Sequence, residues 1–187
     1  MKPVVAKDKI MNTANRLFFE QGYNLTGINQ IIEEADISKP SLYNHFKSKN
    51  DLLMAYLEEQ YNNWFVEYRN FIKDIDEPLE RLIAMVDYRI DRQLKSDFGG
   101  CAWHKITAET PKHDVSVFER TTKFKNAIKA IIAADVKQLD RPEGRLLNDA
   151  DLIESIFLQI EGAIIMTYIT KSHQPLDIVK DIIRKLV

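Results

Sequence analysis

Two short apolar runs separated by a tight connection constrain this chain more than anything else in it. Ile28, Ile31 and Ile32 form the first run, Leu42 and Phe46 the second, and Ala35-Asp36-Ile37 joins them. Residues three or four apart share one face of a helix. Leu42 and Phe46 therefore point inward, and Lys39, Ser41, Asn44 and His45 turn toward solvent or a partner. Thr26 stands where an N-cap stands, ahead of the first run, and Ser38 caps the second. Pro40 is tolerated just inside that second helix because first-turn N–H groups have no intrahelical partner. Two short helices on a three-residue connection make a helix-turn-helix, the unit that lays its second helix in a DNA major groove.

The surrounding sequence is helical throughout. Ile10, Ala14, Leu17 and Phe18 form the stripe of a preceding helix, which Gly22 stops. A fourth helix opens at Ser48, with Asp51 three residues on, and runs through Leu52, Leu53, Tyr56, Leu57, Trp64 and Phe65. Further long helices are separated by breakers at Asp76-Glu77-Pro78, Gly99-Gly100, Thr110-Pro111, Arg141-Pro142-Glu143-Gly144 and Ser172-His173-Gln174-Pro175. No segment reads as a strand, and six Gly with six Pro in 187 residues are too few for a loop-rich β protein. The expectation is an all-α chain of about nine helices. A three-helix DNA-binding domain over residues 1–47 precedes a helical ligand-binding and dimerisation domain over residues 48–187.

Several classes are disfavoured. No uninterrupted apolar stretch approaches the roughly 20 residues that span a bilayer, and the N-terminus leads into a charged amphipathic pattern. The expectation is a cytoplasmic protein with no membrane partner. The one cysteine, Cys101, excludes an intramolecular disulfide framework and a multi-Cys zinc site; neither metal nor cofactor is expected. The formal net charge is −2, but through Asn50 seven basic residues face five acidic ones, a net +2, which leaves −4 on the rest. That sign suits an N-terminal module facing phosphates.

The chemistry of the second short helix fits the groove. Ser38, Lys39, Pro40 and Ser41 are small or polar and let its backbone approach, and Asn44 and His45 are of a length to reach base edges. The Thr26 hydroxyl with the amides behind it forms one anion site, and Lys49 with the start of the fourth helix forms another.

With Gly22-Tyr23, Thr26 and Ser38-Lys39-Pro40-Ser41-Leu42-Tyr43-Asn44-His45-Phe46-Lys47-Ser48-Lys49 in place, the first third of the chain resembles the tetracycline-repressor (TetR) family. The resemblance implies phosphate contacts from Thr26, Tyr43 and Lys49, and groove positions for Lys39, Ser41, Asn44 and His45. Tyr43 also admits a purely structural role. Two positions depart from the family pattern: Asp36 stands in the turn where Gly is usual, and Pro40 where Gly is frequent. Asp enters the left-handed region more readily than most residues. The resemblance implies a regulator, most often a repressor, released from a palindromic double-stranded operator by a small-molecule effector.

Few base contacts per recognition helix call for two copies spaced by one turn of DNA, hence a homodimer. Segments 153–170 and 176–186 are apolar on more than one face, and Ile156, Ile160, Gly162, Ala163, Ile164, Thr167, Ile178 and Ile182 are the expected seam. Aromatic residues collect between the two ends of the chain. Trp64, Tyr68, Tyr88, Trp103, His104 and Phe118 are the expected lining of an effector pocket, since most join an apolar body to a polar tip. Core packing is the competing reading for each. Cys101 and His104, three apart, invite a thiolate-imidazole reading, against which a cysteine after Gly99-Gly100 is ordinarily a small buried hydrophobe. His113 and His173 read as solvated loop residues. Two rival classes remain: an enzyme using the C-terminal cavity, for which no convergent catalytic set is visible, and an architectural DNA-binding protein that senses nothing.

Overall fold

The computed structural model describes residues 3–111, 114–140 and 146–187, with side chains from Ala6 onward. Among them run nine helices and no strand: α1 (Pro3–Glu20), α2 (Ile28–Glu34), α3 (Lys39–His45), α4 (Lys49–Phe71), α5 (Pro78–Lys95), α6 (Ala102–Glu109), α7 (Val115–Val136), α8 (Asp149–Thr170) and α9 (Gln174–Leu186). The breakers fall where helices change. Pro78 sits in the first turn of α5 and Pro175 in that of α9, where a missing N–H costs nothing. Gly22, at φ 93°, follows α1 in a backbone conformation that suits glycine. The Arg141-Pro142-Glu143-Gly144 breaker and His113 lie outside the described residues.

The chain divides into two compact units, Met1–Asn63 with Ala102–Thr121, and Trp64–Cys101 with Thr122–Val187. The first takes in more chain than residues 1–47. The opening turns of α4 bury Leu52, Leu53, Tyr56 and Leu57, and the Tyr56 ring meets Phe18 of α1 edge-on at 5.5 Å, so this half of α4 shares the core of the small helices. In that core α1 packs on α2 and α3, through Ile10, Ala14, Leu17, Phe18, Ile31 and Leu42.

The second unit is built on α5, α8 and α9, which pack on one another. Its core holds Leu82, Val86, Ile156, Ile160, Leu176 and Ile183. Two ion pairs tie it further. Lys180 Nζ meets Asp87 at 2.8 Å, and Arg81 Nε meets the closed-off carboxylate of Asp135 at 2.9 Å.

Helix α8 departs from the sequence reading twice. It meets the length and composition of a membrane span, with 22 residues and a mean hydropathy of 1.5, although charged residues interrupt its apolar run. It also turns Ile156, Ile160, Ala163, Ile164 and Thr167 into the core of its own unit. Buried within the chain, those five have little surface left for the expected seam. A helix apolar on two faces offers no periodic signal for which face turns inward. The face left open carries Leu158, Gly162, Ile165, Met166 and Ile169, with Leu158 and Ile169 each 63% exposed. Of the other seam residues, Ile178 is exposed and Ile182 half-buried.

Candidate nucleic-acid interface

Helix α2 ends in a tight motif that sets the angle of α3. Ala35 is its C-cap, Asp36 follows at φ 50°, the Asp36 N–H donates to Glu33 O at 3.1 Å, and the Ile37 N–H donates to Ile32 O at 3.2 Å. This is the 6→1 and 5→2 pairing of a Schellman stop, in which the left-handed residue ordinarily is Gly. Asp36 fills that place, with Lys9 Nζ 3.4 Å from its carboxylate.

Ser38 then caps α3, its Oγ accepting the Ser41 N–H at 3.3 Å. Leu42 and Phe46 anchor the helix from below. Lys39, Pro40, Tyr43 and Asn44 are exposed together on the opposite face, one helical turn apart in two pairs. Ser41 and His45 border that face half-buried. The side chains predicted for the groove thus form one short polar surface, held by a buried apolar one.

The flanks correct part of the sequence reading. Thr26 is neither an N-cap nor exposed: it is fully buried, its hydroxyl donates to Gly22 O at 2.6 Å, and it accepts from Gln21 Nε2 at 3.2 Å. Gly27 caps α2 instead, without a side-chain bond to the first-turn amides. The Thr26 hydroxyl is used to close the α1–α2 turn, which local capping preference does not reveal. On the other flank Ser48 Oγ accepts the Asp51 N–H at 3.0 Å at the start of α4. Lys49 lies with its Nζ 4.2 Å from the centroid of the Tyr23 ring. Burial pushes the Lys49 ammonium below its ordinary range, and the Glu109 carboxylate opposes that.

Residues far away in sequence complete this surface. Glu109, at the end of α6, accepts the Asn24 N–H on its carboxylate at 2.7 Å, and its backbone O accepts Asn24 Nδ2 at 3.0 Å. Lys105 Nζ donates to Phe19 O at 2.8 Å. Helix α6 therefore clasps the turn between α1 and α2. Asn24 and Glu109 are 85 positions apart in the sequence, so no local pattern announces this.

The expected pocket residues divide between the units. Trp64, Tyr68 and Tyr88 come together in the second: Trp64 stacks on Tyr68 at 5.2 Å between centroids, and meets Tyr88 at 5.4 Å and Phe124 at 5.6 Å edge-on. Tyr88 donates to Glu67 Oε2 at 3.0 Å, and Arg92 Nη1 reaches the same oxygen at 2.6 Å. Burial pushes the Tyr88 hydroxyl up to about 12. Trp103, His104 and Phe118 belong to the first unit, Trp103 buried and the other two half-buried. Cys101 and His104 fall in different units, and the group at the thiol is Lys125, whose Nζ is 3.9 Å from Sγ. Sequence reasoning passed over Arg89 and Gln93 of α5, both buried. The signal was available, since they fall on the same stripe as Leu82 and Val86.

Comparison with known proteins agrees with this geometry. Residues 10–56 match the family of bacterial regulatory proteins, tetR family. An HTH-type transcriptional regulator in the lacX 3′ region of Lactococcus lactis is 25% identical over 91% of this chain and 87% of its own. The HTH-type transcriptional regulator LmrA of Bacillus subtilis is 25% identical over 91% and 90%. Among solved structures, the TetR-family regulator SCO4454 of Streptomyces coelicolor superposes with a TM-score of 0.84 at 20% identity, covering all of this chain and 96% of that one. At that identity the likeness carries the fold.

Proposed function

We propose that this chain is a DNA-binding helix-turn-helix transcriptional regulator of the TetR family, and that it works as a cytoplasmic homodimer that represses from a palindromic operator until a small molecule binds its second unit. The observation that carries the DNA reading is the face of α3, where Lys39, Pro40, Tyr43 and Asn44 stand exposed together over buried Leu42 and Phe46. Asn44 and Lys39 are the base-reading candidates, with His45 and Ser41 at the border. Lys49 and the first-turn amides of α2 are the phosphate candidates, a role that replaces the one expected of the Thr26 hydroxyl.

Dimerisation uses the open face of α8, Leu158, Gly162, Ile165, Met166 and Ile169, continued by Ile178 of α9. An exposed apolar stripe of that length marks an interaction surface, and Gly162 admits a neighbouring backbone closely. The same reading accounts for the membrane-like composition of α8 without a membrane: one apolar face serves the core and the other a second copy.

Effector response follows from linkage. A ligand shifts the protein only through different affinities for its operator-binding and operator-free states. Helix α4 belongs to both units, beginning at Lys49 and ending beyond Trp64 and Tyr68, and is the element that carries the change. We read the chain as a regulator and not as an enzyme. The test is footprinting of the purified chain on a duplex it selects. Two protected half-sites related by a dyad, with centres roughly 34–36 Å apart, support the proposal; a single uninterrupted footprint with no dyad speaks against it.

A further inference from the structure

We propose that the second unit binds a small organic monocarboxylate with an apolar body, its carboxylate held by the Nε–Nη2 edge of Arg89 above the Trp64 ring. This deepens the effector reading given above and rests on it for the regulatory consequence alone. Arg89 is 4% exposed, on the inward stripe of α5. Its Cζ lies 4.6 Å from the Trp64 ring centroid, so one flat face of the guanidinium is covered by an aromatic. Its donor edge is not satisfied: Nε and Nη2 are both closed to solvent and make no hydrogen bond among the described residues. A buried guanidinium left in that condition is costly and asks for an explanation.

The neighbouring carboxylates are already engaged. Glu67 receives Arg92 Nη1 at 2.6 Å and the Tyr88 hydroxyl at 3.0 Å, and Glu161 pairs with Lys125. Arg89, Arg92 and Lys125 set against Glu67 and Glu161 leave one positive charge over, which a monoanion neutralises. Burial lowers the Arg89 pKa, and Glu161 and Cys101 oppose it only in part.

Two other buried groups of this unit can also donate. Trp64 Nε1 and the Tyr68 hydroxyl are buried without partners. Burial raises the Tyr68 pKa, and Arg89 is among the charges that oppose the rise, which places the two groups within electrostatic reach. These donors are matched by a ligand that brings acceptor oxygen. The Nε–Nη2 edge presents two parallel N–H groups, the fork that matches a carboxylate. The rings of Trp64, Phe65 and Phe124 pack on one another with centroids 4.8–6.0 Å apart, so the surroundings of this edge are apolar and suit a ligand with an apolar body.

The experiment uses the purified full chain and follows its melting temperature and intrinsic tryptophan fluorescence. Benzoate, phenylacetate and octanoate are each titrated beside their uncharged primary amides to about 10 mM, where even weak ligands stabilise measurably. The expected result is that at least one acid binds, its amide at least about tenfold more weakly because the charge-assisted pair is lost. Octanoate and the aromatic acids distinguish an aliphatic from an aromatic body. In R89M the acid preference disappears, and in R89K, which keeps the charge but not the fork, it falls several-fold. Failure of all three acids, amides that bind as well as acids, or an R89M chain with the full acid response would overturn the proposal. The comparison of acid with amide on the native chain stands even if R89M does not fold. Acids that bind the native chain in preference to their amides, yet leave its affinity for a selected duplex unchanged, would support the site and contradict the effector reading. Release from that duplex by other compounds, with no response to these acids, would do the reverse.

Discussion

Glu109 and Asn24 clasp each other at both ends: the Asn24 N–H donates to the Glu109 carboxylate at 2.7 Å, and Asn24 Nδ2 donates to the Glu109 backbone O at 3.0 Å. The pair binds the last turn of α6 to the turn ahead of α2. A charge-assisted bond at a part-exposed site contributes about 1 kcal/mol. Glu109→Ala is expected to lower the melting temperature accordingly, and Glu109→Gln, whose amide oxygen still accepts, to recover part of it. Operator affinity should fall with E109A because the turn sets the position of α2; unchanged affinity and melting would show the clasp to be idle.

Asp36 occupies the left-handed position of the Schellman stop at φ 50°, a conformation that costs a residue with a Cβ roughly 1 kcal/mol. Its ion pair with Lys9 is exposed and contributes little. Asp36→Gly is therefore expected to raise the melting temperature slightly and leave operator affinity unaltered, as calorimetry and anisotropy would report. A lower melting temperature would mean that the Lys9 pair outweighs the backbone strain.

How far these features were legible in the sequence depends on their range. The α3 cap, its Pro40 and the inward pair Leu42 and Phe46 lie within nine residues, so spacing alone located the exposed face of α3. Thr26 misled because a threonine before an apolar run resembles a cap, and only the fold shows its hydroxyl closing on Gly22. Helix α8 misled because both its faces are apolar, and the choice between them is made by α5 and α9. Arg89 was passed over as one charge on a long amphipathic helix, and Glu109 carries no local signal at all.

The open face of α8 yields a separate expectation. Ile165 and Ile169 are 47% and 63% exposed, so Ile165→Glu with Ile169→Glu removes no core contact within the chain. The double variant should keep its helical circular dichroism and sediment as a monomer. Ile160→Glu, at a position 1% exposed, should instead unfold the second unit. A folded I165E/I169E chain that remains dimeric would place the interface elsewhere.

Asp135 presents the pH-dependent case. Burial raises its pKa above the ordinary carboxylate range, with Arg81 opposing at 2.9 Å. Arg81→Met leaves a buried carboxylate unpaired, at a cost of about 3 kcal/mol near neutral pH. A raised folded-state pKa means that the protonated form is favoured by folding, and that this advantage is lost as pH rises through it. The R81M deficit should therefore shrink as pH falls through the folded-state pKa of Asp135. Denaturant melts across the acid range would show it, and a deficit that does not change with pH would remove Asp135 as its source.

Selection of bound duplexes from a random pool at near-physiological salt tests whether the exposed face of α3 reads DNA sequence. The native chain is compared with Asn44→Ala, His45→Ala, which alters the reading face and leaves Leu42 and Phe46 in place. A palindrome is expected for the native chain, and for the variant a loss of preference worth about 1–3 kcal/mol at the base pairs concerned. A native chain that enriches no sequence, or a variant that selects the same palindrome equally well, would contradict that role of α3.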